Sequence, residues 1–240
     1  MQCVILAGGL GTRMGSYTQS RPKAMIPVMG IPFIDLLLDD LQKKGVTHAI
    51  LSIGYKGDIL RSHLEGKSFQ QMRIEYVDEG PNLLGTGGAL RLICDSVADL
   101  QDAFFVTFGD AYLALDMADM WRQAERQPAP VTMSIFRNQG AWGQSNVAFK
   151  DGRLLYDKQR RLSDQARFQF IDYGMSIIRK DILMQEIASG SKADIADVIH
   201  RLSLRGAVNG YEVSHRFYEI GSPDGLADFS AHIRAQGVVV

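Results

Sequence analysis

A glycine-rich turn near the amino terminus constrains the fold of this chain more than any other feature. An apolar run, residues 3–6, leads directly into it, and the turn contains Gly8, Gly9 and Gly11. Glycine has no Cβ, so the backbone can turn sharply there and come close to a ligand. A short buried strand followed by such a turn is typical of α/β folds, in which ligands bind beyond the carboxyl ends of the strands.

Two positive side chains accompany the turn. Arg13 follows it, and Lys23 stands next to a proline in the segment that comes after. Backbone N–H groups and cations at the end of a strand together form a phosphate site. No P-loop signature is present, and Met14 takes the place of the third glycine of the dinucleotide fingerprint. The turn therefore predicts a phosphate loop of a different kind.

Length and composition indicate a soluble globular protein. The chain has 240 residues, 46% hydrophobic and 22% charged, with a formal net charge of −1. Without a global basic field, we expect no nucleic-acid partner and no anionic membrane partner. Cys3 and Cys94 lie in apolar runs and form no metal or disulfide pattern. Neither a membrane-length apolar run nor a leader segment is present, so we expect a cytoplasmic protein.

Strand and helix signals alternate along the first part of the chain. Apolar runs predict strands at residues 3–6, 49–53, 73–77 and 104–108. Helical periodicity predicts helices at residues 33–44, 58–64 and 86–97. Such alternation predicts an α/β fold with a mostly parallel, doubly wound, Rossmann-like sheet.

The second part of the chain has a different pattern. Strands are predicted at residues 131–136, 146–149, 153–156 and 175–178. Helices are predicted at residues 180–188, 195–205 and 224–235. We expect a smaller antiparallel portion here, within a single domain that comprises residues 1–240.

The glycine turn and the segment after it resemble the signature of the sugar-nucleotidyltransferases, or NDP-sugar pyrophosphorylases. That signature is Gly-Gly-x-Gly-Thr-Arg-Met/Leu followed by Pro-Lys-x-Met/Leu-x-Pro. The matching residues are Gly8, Gly9, Gly11, Thr12, Arg13, Met14, Pro22, Lys23, Met25 and Pro27. The resemblance covers nearly the whole chain and implies the nucleotide-diphospho-sugar transferase fold. It also implies a nucleotide-binding half at about 1–130 and a sugar-phosphate-binding half at about 131–240.

The resemblance implies an enzyme that condenses a nucleoside triphosphate with a sugar 1-phosphate and releases pyrophosphate. Its implied catalytic residues are Arg13, Lys23 and Asp110, the last of which follows the apolar strand at 104–108. The implied nucleotide-binding residues are Leu6, Ala7, Gly8, Gly9, Gly11, Thr12, Arg13, Lys23 and, in a second glycine-rich segment, Gly85, Thr86 and Gly87. By itself, that second segment also fits a helix amino terminus capped by Thr86.

The resemblance further implies a Mg²⁺ ion held by two carboxylates, Asp110 and Glu219. The family has aspartate in an Asp-Ile/Val-Gly-Thr/Ser-Pro segment, whereas this chain has Glu219 there. The extra methylene displaces the carboxylate, and Mg²⁺ keeps several waters that can absorb such a shift. We therefore expect direct ligation by Asp110, and direct or water-mediated ligation by Glu219.

The sugar-phosphate side matches the family more loosely. Lys158 falls in Asp157-Lys158-Gln159, where the family has Glu-Lys-Pro and the lysine contacts the sugar phosphate. The other implied contacts of the sugar are Gly143, Asn146, Asp172 and Gly174. A solvated basic loop is the alternative reading for Lys158, and a simple strand end is the alternative for Asp172.

Residues 50–57 look most like the small guanylyltransferases that act on D-glycero-D-manno-heptose 1-phosphate. This implies GTP, a heptose and the synthesis of cell-surface polysaccharide. Uridylyl- or cytidylyltransferases acting on other sugar 1-phosphates are alternatives, as is transfer to phosphocholine, for which Trp142, Tyr156 and Tyr173 could supply aromatic contacts. A further alternative is a non-catalytic regulatory subunit that binds a sugar nucleotide. Apolar surface on the antiparallel portion would support a homodimer.

Overall fold

The computed structural model describes residues 1–69, 71–140, 142–159 and 161–235. They form two compact units, each made of more than one segment. Unit 1 comprises Met1–Leu83, Thr107–Tyr112 and Phe217–Val240, and unit 2 comprises Leu84–Val106 and Leu113–Arg216. The prediction of one domain whose halves meet near residue 130 stays a prediction.

The strands, in chain order, are β1 (Gln2–Leu6), β2 (Pro27–Val28), β3 (Ile31–Pro32), β4 (His48–Ile53), β5 (Arg73–Asp78), β6 (Ala103–Phe108), β7 (Ala111–Tyr112), β8 (Val131–Arg137), β9 (Val147–Lys150), β10 (Arg153–Tyr156), β11 (Phe170–Arg179), β12 (Val208–Val213) and β13 (Tyr218–Glu219). The α-helices are α1 (Phe33–Lys43), α2 (Gly57–Leu64), α3 (Gly85–Ser96), α4 (Met117–Arg126), α5 (Lys180–Glu186), α6 (Ile195–Leu204) and α7 (Pro223–Ala235). Within the described ranges, no helix combines the length and apolarity that a membrane crossing requires.

Unit 1 is built on parallel strands, as the sequence predicts. Strand β4 lies between β1 and β5 and pairs with both in parallel. Its residues are buried along the whole strand, which is typical of parallel strands covered on both faces. Helix α1 buries Phe33, Leu37 and Leu41 on one face, in agreement with the predicted helical periodicity.

The carboxyl-terminal segment of unit 1 joins it through a short antiparallel pair, β7 with β13. Helix α7 follows and buries Phe229 completely. The Phe229 ring centroid lies 5.5 Å from that of Phe33 and 4.8 Å from that of Tyr112. Aromatic packing thus holds α7 against β7, the strand that begins directly after Asp110.

Unit 2 contains a mixed sheet. Strand β8 pairs with β11 antiparallel and with β12 in parallel. The predicted hairpin is confirmed, since β9 and β10 are antiparallel and join through Asp151 and Gly152, both with positive φ. The register of β11 against β8 shifts between Asp172 and Ser176, where a bulge or irregularity interrupts the ladder.

Two elements of unit 2 were not predicted from the sequence. Helix α4 is largely polar and buries only Met117 and Met120 among its ten residues. Asp116 caps its amino terminus and accepts a hydrogen bond from the Asp119 amide. Strand β12 contains polar residues and Gly210. Both lack the sustained apolar pattern on which the sequence predictions depend.

Candidate active site

The glycine-rich turn lies at the carboxyl end of β1 and is held there by backbone hydrogen bonds. The Gly109 amide donates to the Leu6 carbonyl over 2.9 Å, and the Ala7 amide donates to the Ser52 carbonyl over 2.9 Å. The Gly8 carbonyl accepts from the Tyr55 amide over 3.1 Å. The ends of neighbouring strands therefore fix Leu6, Ala7 and Gly8, three of the predicted nucleotide-binding residues.

The glycines of the turn differ in what a Cβ atom at each position would contact. A Cβ on Gly8 would lie 2.5 Å from Glu79 Oε1, and one on Gly11, where φ is +63°, would lie 2.8 Å from Thr18 Cγ2. In contrast, a Cβ on Gly9 would meet no atom within 4 Å. Packing accounts for Gly8 and Gly11, whereas the predicted contact of Gly9 with a nucleotide stays a prediction.

After the turn the chain folds back as a 3₁₀ segment, Thr12–Thr18. The buried Thr18 side chain donates its Oγ1 hydrogen to the carbonyls of Gly11 and Gly15, with a distance of 3.2 Å to each oxygen. The side chains of Thr12 and Arg13 remain exposed to solvent. The turn thus holds its shape through internal bonds and leaves the predicted catalytic arginine accessible.

Lys23 and Asp110, both predicted to be catalytic, are in direct contact. Lys23 begins a short 3₁₀ turn after Pro22, and Asp110 follows the end of β6. The Lys23 ammonium donates to Asp110 Oδ2, and the two side chains are only 15% and 24% exposed. This partly buried pair places opposite charges beyond the carboxyl end of a strand, where ligands bind in such folds.

Glu219 lies beside this pair. It stands opposite Ala111 in the β7–β13 ladder, and the next amide, that of Ile220, donates to the Asp110 carbonyl over 2.9 Å. A Cβ on Gly221 would overlap the Glu219 carboxylate and would also lie 2.9 Å from Lys23 Nζ. The structure therefore brings together Lys23, Asp110 and Glu219 within unit 1.

The Glu219 carboxylate is bonded to its own turn. Its Oε2 accepts from the Gly221 amide, and its Oε1 accepts from Ser222 Oγ over 2.9 Å. Carboxylate oxygens are suitable ligands for Mg²⁺, and each oxygen can accept more than one bond. Two neighbouring carboxylates of this kind fit Mg²⁺ as a donor set, and the predicted ligation by Asp110 and Glu219 stays a prediction.

In unit 2, the second glycine-rich segment forms the first turn of α3 and packs against residues 191–196. The amides of Gly87 and Gly88 donate to the Ala193 carbonyl over 2.9 and 3.3 Å. Thr86 does not cap its own helix; its hydroxyl donates to Asp194 Oδ1 over 2.8 Å. The predicted contacts of Gly85, Thr86 and Gly87 with a nucleotide stay a prediction.

The predicted sugar-binding residues form a connected group in unit 2. Asn146 Oδ1 accepts from the Asp172 amide over 2.8 Å, and Asp172 Oδ1 accepts from the Gly174 amide over 3.0 Å. Burial raises the pKa of the Asp172 carboxyl, while the Gly174 amide, the charge of Lys158 and the Tyr156 hydroxyl oppose that rise. The charge of Lys158 therefore acts on Asp172, although the Lys158 side chain is exposed.

Gly143 lies in the loop before Asn146, and the buried side chain of Asn138 orders this loop. Asn138 Nδ2 donates to the Gly143 carbonyl and to Ser145 Oγ over 3.1 Å each, and its Oδ1 accepts from the Trp142 amide over 2.8 Å. The Arg216 guanidinium stacks on the Trp142 ring at 3.6 Å from the centroid. Neither Asn138 nor Arg216 stands out in the sequence, because their partners come from distant or irregular segments.

The aromatic residues considered for a quaternary ammonium do not form an open cage. Tyr156 and Tyr173 are only 3% and 1% exposed, and Arg216 covers a face of Trp142. An aromatic cage requires accessible ring faces around the cation. This arrangement disfavours phosphocholine as the acceptor.

Comparison with known proteins identifies the family. A family model described as nucleotidyl transferase matches residues 2–142, more than half of the chain. The chain belongs to the nucleotidyl transferase family. It is 26% identical over 225 residues to a D-glycero-α-D-manno-heptose 1-phosphate guanylyltransferase of Aneurinibacillus thermoaerophilus, covering 93% of this chain and 94% of that relative. A protein of the same name from Campylobacter jejuni is 31% identical over 121 residues, which is 50% of this chain and 52% of the relative.

A solved structure confirms the fold of this nucleotidyl transferase. HddC from Yersinia pseudotuberculosis, complexed with GMP-PN, superimposes with a TM-score of 0.74 over 97% of this chain and 99% of its own, at 22% identity. The α/β fold predicted for the chain, its resemblance to the sugar-nucleotidyltransferases and its assignment as an enzyme of that class are therefore confirmed.

Proposed function

We propose that this nucleotidyl transferase joins a nucleoside triphosphate to a sugar 1-phosphate and releases pyrophosphate. The observation that carries the proposal is the contact between Lys23 and Asp110 beside the Glu219 turn, in the unit that also holds the glycine-rich loop. A lysine beside a glycine-rich loop suits a substrate with several phosphate groups, and the two carboxylates suit the divalent cation that would accompany it.

The reaction requires positioning and charge neutralisation more than proton transfer. An oxygen of the sugar 1-phosphate, anionic at neutral pH, forms a bond to the α-phosphorus of the triphosphate. The bond from that phosphorus to its bridging oxygen breaks in line, and the electron pair leaves on pyrophosphate. No general base is needed, because the nucleophile already carries its negative charge. Fixed cations accelerate such a step by stabilising charge in the transition state.

Each cation has a role in this proposal. Exposed Arg13 stabilises the transferring and leaving phosphates, and Lys23 holds the α-phosphate or the incoming phosphate. Lys158 orients the acceptor through its phosphate, while Asp172 accepts a hydrogen bond from a sugar hydroxyl. Asp110 and Glu219 would hold Mg²⁺, which would add positive charge next to the phosphates.

The base we propose is guanine. Glu79 lies against Gly8, close enough to exclude a Cβ there, and accepts a hydrogen bond from Ser52 Oγ over 3.2 Å. A carboxylate only accepts hydrogen bonds, and guanine offers N1–H and N2–H donors side by side on one edge. Uracil offers one N–H between two carbonyl oxygens, which a carboxylate repels. The carboxylate of Glu79 beside the loop therefore favours GTP over UTP.

For the acceptor we propose D-glycero-D-manno-heptose 1-phosphate. The relative from Aneurinibacillus thermoaerophilus, matched over nearly its whole length, has this substrate in its name. A product of this kind would serve the synthesis of cell-surface polysaccharide. A cytoplasmic location and a homodimer belong to the same proposal. Uridylyl or cytidylyl transfer to another sugar 1-phosphate is the alternative that the experiment below separates.

The test is pyrophosphate release with Mg²⁺ across the four nucleoside triphosphates. The acceptors are heptose, mannose and glucose 1-phosphates and phosphocholine. We expect GTP with the heptose 1-phosphate to give the highest kcat/KM, and Glu79→Gln to lower the preference for GTP over UTP by about tenfold or more. Arg13→Ala should lower kcat by about 100-fold, whereas Arg153→Ala, an exposed arginine in the β9–β10 hairpin, should not.

Other outcomes decide between the remaining readings. Preference of the wild-type protein for UTP or CTP would contradict the guanine proposal but keep nucleotidyl transfer. Nucleotide binding without pyrophosphate release from any pair would indicate a regulatory subunit or an acceptor outside this panel. Failure to bind any nucleoside triphosphate would contradict the proposed site as a whole.

A further inference from the structure

The first turn of α3 is hydrogen-bonded to a distant segment of unit 2, residues 191–194. The Ala193 carbonyl accepts from the Gly87 and Gly88 amides, and in return the Ala193 amide donates to the Leu84 carbonyl over 2.9 Å. The backbone on both sides is therefore fixed by reciprocal bonds between residues 84–88 and residue 193.

Close packing adds to these hydrogen bonds between α3 and residues 191–193. A Cβ on Gly85 would lie 2.6 Å from the Ala193 carbonyl oxygen, and one on Gly88 would lie 2.5 Å from the Ser191 carbonyl oxygen. Gly85 also has a φ of +73°, a conformation that glycine adopts without strain. These glycines are thus required by their packing against residues 191–193.

The side chain of Asp194 joins the first turn of α3 to the start of α6. Its Oδ1 accepts from Thr86 Oγ1 over 2.8 Å and from the Ala196 amide over 3.0 Å, so it caps α6 while it holds Thr86. The Thr86 hydroxyl in turn accepts from the Ile195 amide over 2.9 Å. By comparison, the capping bond of Asp116 at the start of α4 goes to the amide of Asp119 in its own helix.

We infer that Asp194 is a positioning residue for the nucleotide. It acts through Thr86, whose place in the first turn of α3 sets the backbone of Gly85 and Gly87, the residues that we propose to contact the nucleotide. This inference rests on the proposed function. A displacement of a binding segment by a fraction of an ångström weakens binding even when the displaced residue never touches the ligand.

The experiment compares three variants by calorimetric titration with GTP, together with steady-state kinetics. Asp194→Ala loses both hydrogen bonds, Asp194→Asn keeps an acceptor oxygen in the same place, and Asp116→Ala removes a helix cap elsewhere in unit 2. We expect Asp194→Ala to raise Kd and KM for GTP by about tenfold, with KM for the sugar 1-phosphate unchanged. Asp194→Asn should recover most of the affinity, and Asp116→Ala should leave it unchanged.

Stability separates positioning from simple capping. Both alanine variants should lower Tm by a similar amount, about 2–4 °C. Should Asp194→Ala fail to fold, Asp194→Ser replaces it, because serine is a good helix cap whose shorter side chain reaches less far towards Thr86. The inference predicts weaker GTP binding for Asp194→Ser than for Asp194→Asn.

The inference and the proposed function can fail separately. Equal GTP affinity in Asp194→Ala and Asp116→Ala, with an active wild-type protein, would overturn the inference only. A wild-type protein that binds GTP without releasing pyrophosphate would contradict the proposed function, and the Kd comparison would still decide the role of Asp194. A wild-type protein that binds no nucleotide would overturn both.

Discussion

Gly8 and Gly9 are adjacent in the chain but differ in what a methyl group would meet. The Gly8 Cβ position lies against Glu79 and the backbone carbon of Ile53, at 2.5 and 3.2 Å, whereas that of Gly9 is open. We predict that Gly8→Ala lowers Tm, because the Glu79 carboxylate must move from its place beside Ser52. Gly9→Ala should leave Tm unchanged and raise KM for the nucleoside triphosphate, because its methyl group would occupy the space that we propose for the ligand.

Thermal unfolding and nucleotide titration of the two variants check this prediction together. The Gly8 variant serves as the control for a packing defect. Normal nucleotide affinity in Gly9→Ala would contradict the assignment of that glycine to the ligand.

The sequence predicted that Lys23 and Asp110 belong to one site, and the structure places them in contact. Lys23 and Asp110 could be predicted because one belongs to the motif that resembles the family signature and the other follows a recognisable apolar strand. Glu79 and Asp194 could not be assigned a role in this way. Their importance depends on contacts with Gly8 and Thr86, which only the folded backbone brings near.

At the scale of elements, strand β11 carries a carboxylate whose charge is unfavourable where it lies. Burial raises the pKa of Asp172 above that of an unfolded chain, so the folded state binds this proton more tightly. The group therefore lowers the free energy of unfolding at neutral pH, and that loss is recovered as pH falls through the raised pKa towards about 4.

We predict that Asp172→Asn raises Tm at pH 7, since the amide oxygen can still accept from the Gly174 amide. The gain should shrink as pH falls from 7 towards about 4. Thermal melts across this range measure it. Asp181→Asn is the control, because the hydrogen bond from Arg179 lowers the pKa of Asp181 and the sign reverses. A lower Tm for Asp172→Asn at pH 7 would show that Lys158 and the hydrogen bonds outweigh burial.

Elements with a strong apolar period were predicted to within a few residues, for example α1 and β4. Helix α4 and strand β12 escaped prediction for a physical reason. A helix that buries only two methionines, and a strand that holds a glycine and an exposed glutamate, gain their stability from neighbours supplied by the rest of the unit.

At the scale of the whole molecule, unit 1 depends on its carboxyl-terminal segment. Phe229 of α7 is fully buried and packs against Phe33 and Tyr112, which come from two other segments of that unit. We predict that Phe229→Ala lowers the free energy of unfolding by about 3–5 kcal/mol. Urea denaturation measures the change, and Ile59→Ala, a 40% exposed residue of the same unit, should alter it by less than about 0.5 kcal/mol.

A change below about 1 kcal/mol in Phe229→Ala would contradict the packing that holds α7 in place.

The division of the chain into interleaved units was not visible in the sequence. One link between the segments of unit 1 is the two-residue pair of β7 and β13, which is too short to produce an apolar pattern.

The most direct test of nucleotidyl transfer is ³¹P NMR of the reaction between GTP, D-glycero-D-manno-heptose 1-phosphate and Mg²⁺. We predict that the wild-type protein forms GDP-heptose and pyrophosphate in equal amounts. Lys23→Ala should form both about 100-fold more slowly or worse, and Lys43→Ala, an exposed lysine of α1, should match the wild-type rate. Phosphate release without a sugar nucleotide, or an unchanged rate in Lys23→Ala, would contradict the account.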